Sequence, residues 1–512
     1  MKKLLERIKC LLIKTFKEIN HHKLEYLLLF LILSFSAFFR LFHLDKLLGF
    51  WYDQGRDALV IWDLLHYRKF FLIGPVTGIE GIFLGPFYYY LLAPLYWLGK
   101  GSPVFAASGL SWLTVGTIFL LYWAGKKMFG ATVGLLAAFL YGFSYSNVVF
   151  SRWLANPNPL PFFTMVLLLF LYGFVNGRKH FLIYAAFVLG LCLQLEAAAA
   201  AFFIPSVAVI VFWKRKQLNL KILFLAFLAF FITLIPQIYF NFRHQGILLE
   251  AFKKFLITDK SFGSLGHLGQ SFTSVLGTRL LLYYDVFIAK LLPVGGDWKV
   301  ILLALFSAGL IFFRKKIFNS GGRLLFLWLL VPLIGYVFYR GNNGYVWDYY
   351  FVGIIPAFFL LFSSCLYFLT KQGLFGKGIV YIFLIAFTLF NLRPINNFLK
   401  TGIGITLRAQ TRAIDWMYGQ AKGKPFNADF YVPPQIFYSY SYLMKWYGNG
   451  KFGFEPETKQ IQELYTLYEP DGEHPQFLKA WLKRQDTIGK VISEHFWGDI
   501  TVQKRERIKF DD

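Results

Sequence analysis

A chain of 512 residues that is 57% hydrophobic and 21% aromatic is built for lipid rather than for water, and its mean hydropathy of +0.50 excludes an ordinary soluble domain. The net charge of +25 suggests nucleic acid at first sight, but the Lys and Arg residues stand in short clusters between apolar runs, where they orient helices rather than coat a groove, so no nucleic-acid partner is expected. Three cysteines (Cys10, Cys192, Cys365) are too scattered for a disulfide framework or a zinc site.

In chain order, a basic N-terminus (Lys2 to Lys17) precedes a first apolar run at 24–42 with no small-residue cleavage site after it, which reads as an uncleaved signal anchor. Eleven runs have the length and apolarity of membrane spans: 24–42, 103–123, 131–150, 159–175, 181–197, 198–213, 221–240, 297–313, 323–339, 349–370 and 376–392. The segment 86–98, GPFYYYLLAPLYW, is short, Tyr-rich and broken by Pro94, and is predicted to be a juxtamembrane helix. With that assignment the clusters Lys126–Lys127, Arg178–Lys179, Lys214–Lys216 and Arg314–Lys316 all fall on the side of the N-terminus, which is therefore cytoplasmic. All twelve Asp and Glu between 24 and 392 except Glu25 then face the other side or end there.

Two large outer loops follow from this topology, 43–102 and 241–296. The second contains the polar stretch SFGSLGHLGQSFTS and then GTRLLLYYDVFIAKL (278–292), predicted as a mobile segment followed by an interfacial helix, together a lid. Residues 1–392 form the membrane domain, and 393–512 a small α/β domain outside the membrane. In the latter 406–421 is predicted as a helix, 426–432 as a strand, 436–447 as a helix and 487–508 as a hairpin turning at Trp497–Gly498–Asp499.

The chemistry concentrates in the first outer loop, FWYDQGRDALVIWDLLHYRKFFLIGPVTGIEGIFLGPFYYYLL. Asp53 and Arg56 are spaced i, i+3, so a helix here puts both on one side. A carboxylate base beside a phosphate-binding cation and a local ion pair capping a juxtamembrane helix both fit that spacing. The aromatic residues nearby (Trp51, Tyr52, Tyr88, Tyr89, Tyr90) and the Gly–Pro corners suit a sugar site. Glu196, in LCLQLEAAAAAFFIP, reads either as a helix-end carboxylate or as a sugar or acceptor contact beside open volume. Arg152 reads as a snorkelling interface residue or as a cation for phosphate.

The order basic N-terminus, first span, acidic outer loop, GPFYYYLLAP, SRWLANPNPLPFF and WDYYFVGIIPAFFLL resembles the GT-C superfamily of membrane glycosyltransferases, in the family-39-like branch of protein mannosyltransferases and aminoarabinose transferases. The resemblance covers most of the membrane part. It implies a mainly α polytopic bundle that moves a sugar, with inversion, from a polyprenyl-phosphate donor to a cell-envelope acceptor (protein, lipid or glycan) on the outer face of the plasma membrane. It implies Asp53 and Asp57 as catalytic carboxylates, with Gln54 standing where the family's motif has a second acid. Arg56, Arg152, Arg243 and Arg279 are implied for the donor phosphate, and Tyr88, Tyr89, Glu196, Asp348 and Tyr349 for sugar or acceptor. No cofactor is required; a divalent metal is left open but not implied, and Asn158–Pro159 replaces the Asp-Pro that would suit one. The rival class is a multi-pass transporter or lipid flippase, which should show charged or broken helices at mid-membrane and paired repeats.

Overall fold

The computed structural model describes residues 18–255, 272–296, 298–339, 344–434 and 436–510. The basic N-terminus through Lys17, Cys10, the Gly/Ser stretch up to 271, Asp259 and Asp297 lie outside the described residues.

Apolar runs of this length have nowhere to satisfy their backbone in lipid except within a helix, and each predicted run forms one. Among the described residues six helices are long and apolar enough to cross a membrane: Lys23–Leu47, Pro103–Met128, Leu220–Arg243, Phe272–Lys290, Ser320–Val337 and Gly373–Thr401. Five shorter apolar helices occupy other predicted runs: Leu160–Val175, Phe181–Leu195, Ala197–Trp213, Trp298–Phe312 and Ile355–Thr370. The run at 131–150 is bent by 66° between Ala131–Phe143 and Tyr145–Ser151. A break frees backbone donors, and the Tyr145 N–H is taken up by Asn391 Oδ1 at 2.7 Å, while the Ser144 hydroxyl donates to Leu291 O at 3.1 Å. Helices 103–128 and 131–143 meet where a Cβ on Gly125 would lie 2.6 Å from Gly134 Cα, so only glycine permits that approach.

Phe272–Lys290 was expected to be interfacial from 278 onward, yet it forms a helix long enough to cross. Its contacts resolve this. Arg279 donates to the carbonyls of Tyr336, Tyr339 and Gly344, and the Lys290 carbonyl accepts from the Ser146 hydroxyl at 2.9 Å. Those partners all lie on one rim of the bundle, so the helix runs along that rim. At the opposite rim Lys126 pairs with Glu25 at 2.8 Å and with Glu18 at 3.1 Å, which accounts for the carboxylates on the basic side.

The C-terminal unit is a four-stranded sheet in the order β1 (Asn427–Tyr431), β2 (Glu463–Tyr468), β4 (Ile500–Arg507), β3 (Gly489–Trp497). β1 and β2 are parallel; β2–β4 and β3–β4 are antiparallel. The predicted helix, first strand and hairpin are present; β2 and the helix Pro475–Ile488 were not predicted. The last membrane helix passes straight through residue 392 and ends at Thr401, carrying Pro394 within it. The domain sits on the first loop: Leu407 N–H donates to Leu48 O at 2.7 Å, Gln410 Nε2 to Phe50 O at 3.0 Å, and Trp51 Nε1 to Ile405 O at 2.8 Å.

Candidate active site

The polar stretch after Phe50 folds into a helix, Tyr52–Tyr67, whose first turn carries Asp53 and Arg56. The turn is closed by Gln54, whose side chain accepts from the Trp51 N–H at 3.0 Å. Arg56 lies between two carboxylates: Nη1 is 2.8 Å from Asp53, Nη2 is 2.8 Å from Asp57, and Nε donates to Asp57 at 2.9 Å. The carboxylates differ in exposure. The Asp53 side chain is 55% exposed, that of Arg56 15% and that of Asp57 5%. Asp57 also accepts from the Tyr89 hydroxyl at 3.3 Å. Burial pushes the Asp57 carboxyl up to about 6 against the pull of Arg56, and the two carboxylates together raise Arg56 further above its ordinary value.

Asp53 and Arg56 open into a cavity of about 660 Å³. Its polar end is made by these two with Asn156, Glu196, Tyr349 and Tyr350. From there it becomes an apolar trough along Leu220–Arg243 and Ile247–Lys253, with Phe230, Leu234, Ile238, Phe242 and Leu249 on its walls. Glu196 caps the short helix that follows it, accepting from Ala198 N–H at 3.2 Å, and Asn156 Nδ2 lies 3.5 Å from its other oxygen. A second cavity, of about 490 Å³, adjoins the first, and Trp153 and Tyr349 line both. Their rings meet edge to face at 5.8 Å.

The structure thus gathers Asp53, Arg56, Glu196 and Tyr349 around one cavity and leaves the other expected residues elsewhere. Asp57 and Tyr89 lie buried behind Arg56, and Tyr88 is fully buried. Arg152 is buried on the side of the second cavity and donates to the carbonyls of Phe39 and Phe42, while Arg279 is spent on three backbone carbonyls. Neither guanidinium lines the cavity that holds Asp53. Arg152 turns Nη1 to the carbonyls at the end of the first helix and, among the described residues, leaves Nε and Nη2 without a hydrogen-bond partner, while Arg279 ties the end of Ser320–Val337 to Gly344. Arg243 is exposed at its helix end, outside the lining. Asp348 pairs with Lys290 and lines the second cavity. Asn156, Gln237 and Asn241 line the main cavity and were not predicted; an isolated amide carries no distinguishing pattern in sequence. Among the described residues no three of His, Cys, Asp or Glu come together to hold a metal ion.

Residues 85–240 match the sequence-family model described as dolichyl-phosphate-mannose-protein mannosyltransferase. Comparison with curated proteins finds no match. Among solved structures the chain is similar to ArnT from Cupriavidus metallidurans bound to undecaprenyl phosphate, with a TM-score of 0.60 at 12% identity over 95% of this chain and 98% of that one. It is also similar to the archaeal oligosaccharyltransferase AglB from Archaeoglobus fulgidus in complex with an inhibitory peptide and a dolichol-phosphate, with a TM-score of 0.50 at 13% identity over 86% and 69%. The chain is built on the GT-C fold of membrane glycosyltransferases.

Proposed function

We propose that this chain is a membrane glycosyltransferase that moves a sugar from a polyprenyl-phosphate donor to a cell-envelope acceptor, with inversion at the anomeric carbon. The observation that carries the reading is the Asp53–Arg56 pair at the polar end of a cavity whose remainder is an apolar trough. A ligand with a charged sugar–phosphate head and a long isoprenoid tail has that same division. The undecaprenyl phosphate named with ArnT and the dolichol-phosphate named with AglB support this class of donor.

In this mechanism Asp53 takes the proton from the acceptor hydroxyl or amine as that group attacks the anomeric carbon. The bond from that carbon to the phosphate oxygen breaks, and the polyprenyl phosphate leaves with its charge increased. Arg56, fixed by Asp57, receives that charge without reorganising. Asp57 therefore positions rather than reacts. Glu196 and Tyr349 face the sugar at the same polar end. No cofactor is needed for these steps, since the guanidinium supplies the positive charge. The reading sets the chain in the plasma membrane with its N-terminus in the cytoplasm, and residues 393–512 and the reacting face outside.

The test is Asp53→Asn in the purified full-length protein, assayed for sugar transfer from a polyprenyl-phosphate donor. Loss of a positioned base should cost about 10²–10⁴ in rate, with thermal unfolding unchanged because Asp53 is half exposed. Undiminished transfer by the variant would overturn the assignment and favour a transporter or flippase.

A further inference from the structure

A second concentration of charge lies where the C-terminal domain meets the bundle. A hollow of about 450 Å³ is lined by Lys46, Lys400, Arg408 and Arg412, with His43 and Trp497 beside them. No carboxylate lines it. Among the described residues none of the four cations takes part in an ion pair. The acids nearest in sequence stand outside the lining: Asp45 is exposed, and Asp415, one turn from Arg412, is paired with Lys451 at 2.7 Å. Arg408 and Arg412 are one helical turn apart on Leu407–Ala421, a spacing at which like charges repel. Arg412 is held 5.3 Å from the Trp497 ring. Four cations converging without a counter-charge raise each other's cost, and an anion between them removes it.

The depth of the hollow says which anion. Lys46 follows the first membrane helix directly, and Lys400 lies in the last turn of Gly373–Thr401. Both are therefore at headgroup level, at the end of the bundle opposite the Glu25–Lys126 pair. The positive-inside rule, which accounts for the Lys126–Lys127 end, gives no reason for cations at this one. Leu47 lines both the basic hollow and the apolar cavity that holds Phe398 and Ile403. Ile403, on the wall of the latter, is 46% exposed. A charged hollow continuing into an apolar one suits a phosphate with an acyl chain attached.

We propose that this hollow binds the phosphate head of an anionic membrane phospholipid, which seals the joint between the C-terminal domain and the membrane helices. The proposal is independent of the reaction assigned to Asp53. The full-length protein in detergent is mixed with phosphatidylglycerol or phosphatidylcholine and read by native mass spectrometry, with inorganic phosphate as competitor. The variant K400Q/R408Q/R412Q is compared with K479Q/K483Q/R484Q, which removes the same charge from the exposed face of Pro475–Ile488. The expected result is preferential retention of phosphatidylglycerol, reduced about fivefold per cation removed from the hollow and unchanged in the control. Should the triple variant not fold, Arg412→Gln alone carries the same expectation at about fivefold. Equal loss in both variants, or undiminished retention in the first, overturns the proposal. Displacement of the lipid by an equal concentration of inorganic phosphate overturns it too, and assigns the hollow to a soluble phosphate.

Discussion

Arg56 is held by two carboxylates of unequal exposure, and the inequality divides their work. In the proposed mechanism Asp53, which faces the cavity, is the base, and Asp57, which is sealed in, aims the guanidinium. Arg56→Lys keeps the charge but loses the fork that spans both partners. It should lower transfer by about 10²–10³, the usual worth of one fixed donor at a developing charge, with donor binding measured separately. Asp57 also makes a pH prediction. Its carboxyl is raised to about 6 from an ordinary 3.8, so below about pH 6 it protonates and releases Arg56. Activity should fall as pH drops through that value, and Asp57→Asn should abolish that limb of the profile. Stability runs the other way: between pH 3.8 and 6 the folded chain holds a proton that the unfolded chain has shed, so folding gains as pH falls. The i, i+3 pair was legible in the sequence because helical spacing alone places it. The burial of Asp57 was not, since it depends on Tyr89 from another segment. Nor were the duties of Arg152 and Arg279, because an arginine that closes helix ends looks in sequence like one that awaits phosphate.

At the scale of elements, the helix Tyr52–Tyr67 is held against Tyr438–Leu443 of the C-terminal domain. The Tyr52 and Tyr438 rings lie 5.1 Å apart, and the Trp62 and Tyr442 rings meet edge to face at 6.0 Å. Gly55 makes the approach possible: a Cβ there would lie 2.3 Å from Ser439 N. Gly55→Ala should therefore push the two elements apart, costing about 1–3 kcal/mol as overpacking does. It should also lower transfer without touching substrate. A thermal unfolding curve measured beside the transfer rate checks both. A variant that unfolds and turns over like the parent would show that the contact does not position Asp53. The membrane helices were readable because long apolar runs admit only one structure in lipid. β2 was missed because four of its six residues are buried in succession, which removes the alternation that marks a strand.

On the scale of the whole molecule, the bundle has one rim of basic clusters and another that carries the cavity and the C-terminal domain. The proposed orientation is tested by single cysteines at Lys479 and Lys315 in intact cells. An impermeant maleimide should label the first directly and the second only after permeabilisation; the reverse pattern would turn the molecule over. Both single-cysteine variants carry Cys10→Ser, and the native Cys192 and Cys365 are buried and give little background. The rim also has a partition. The edge-to-face rings of Trp153 and Tyr349 line both of two adjoining chambers, of about 660 and 490 Å³. Trimming both residues to alanine would open a through-passage, and a tethered compound with one arm shaped for each chamber would then occupy it as a single inhibitor.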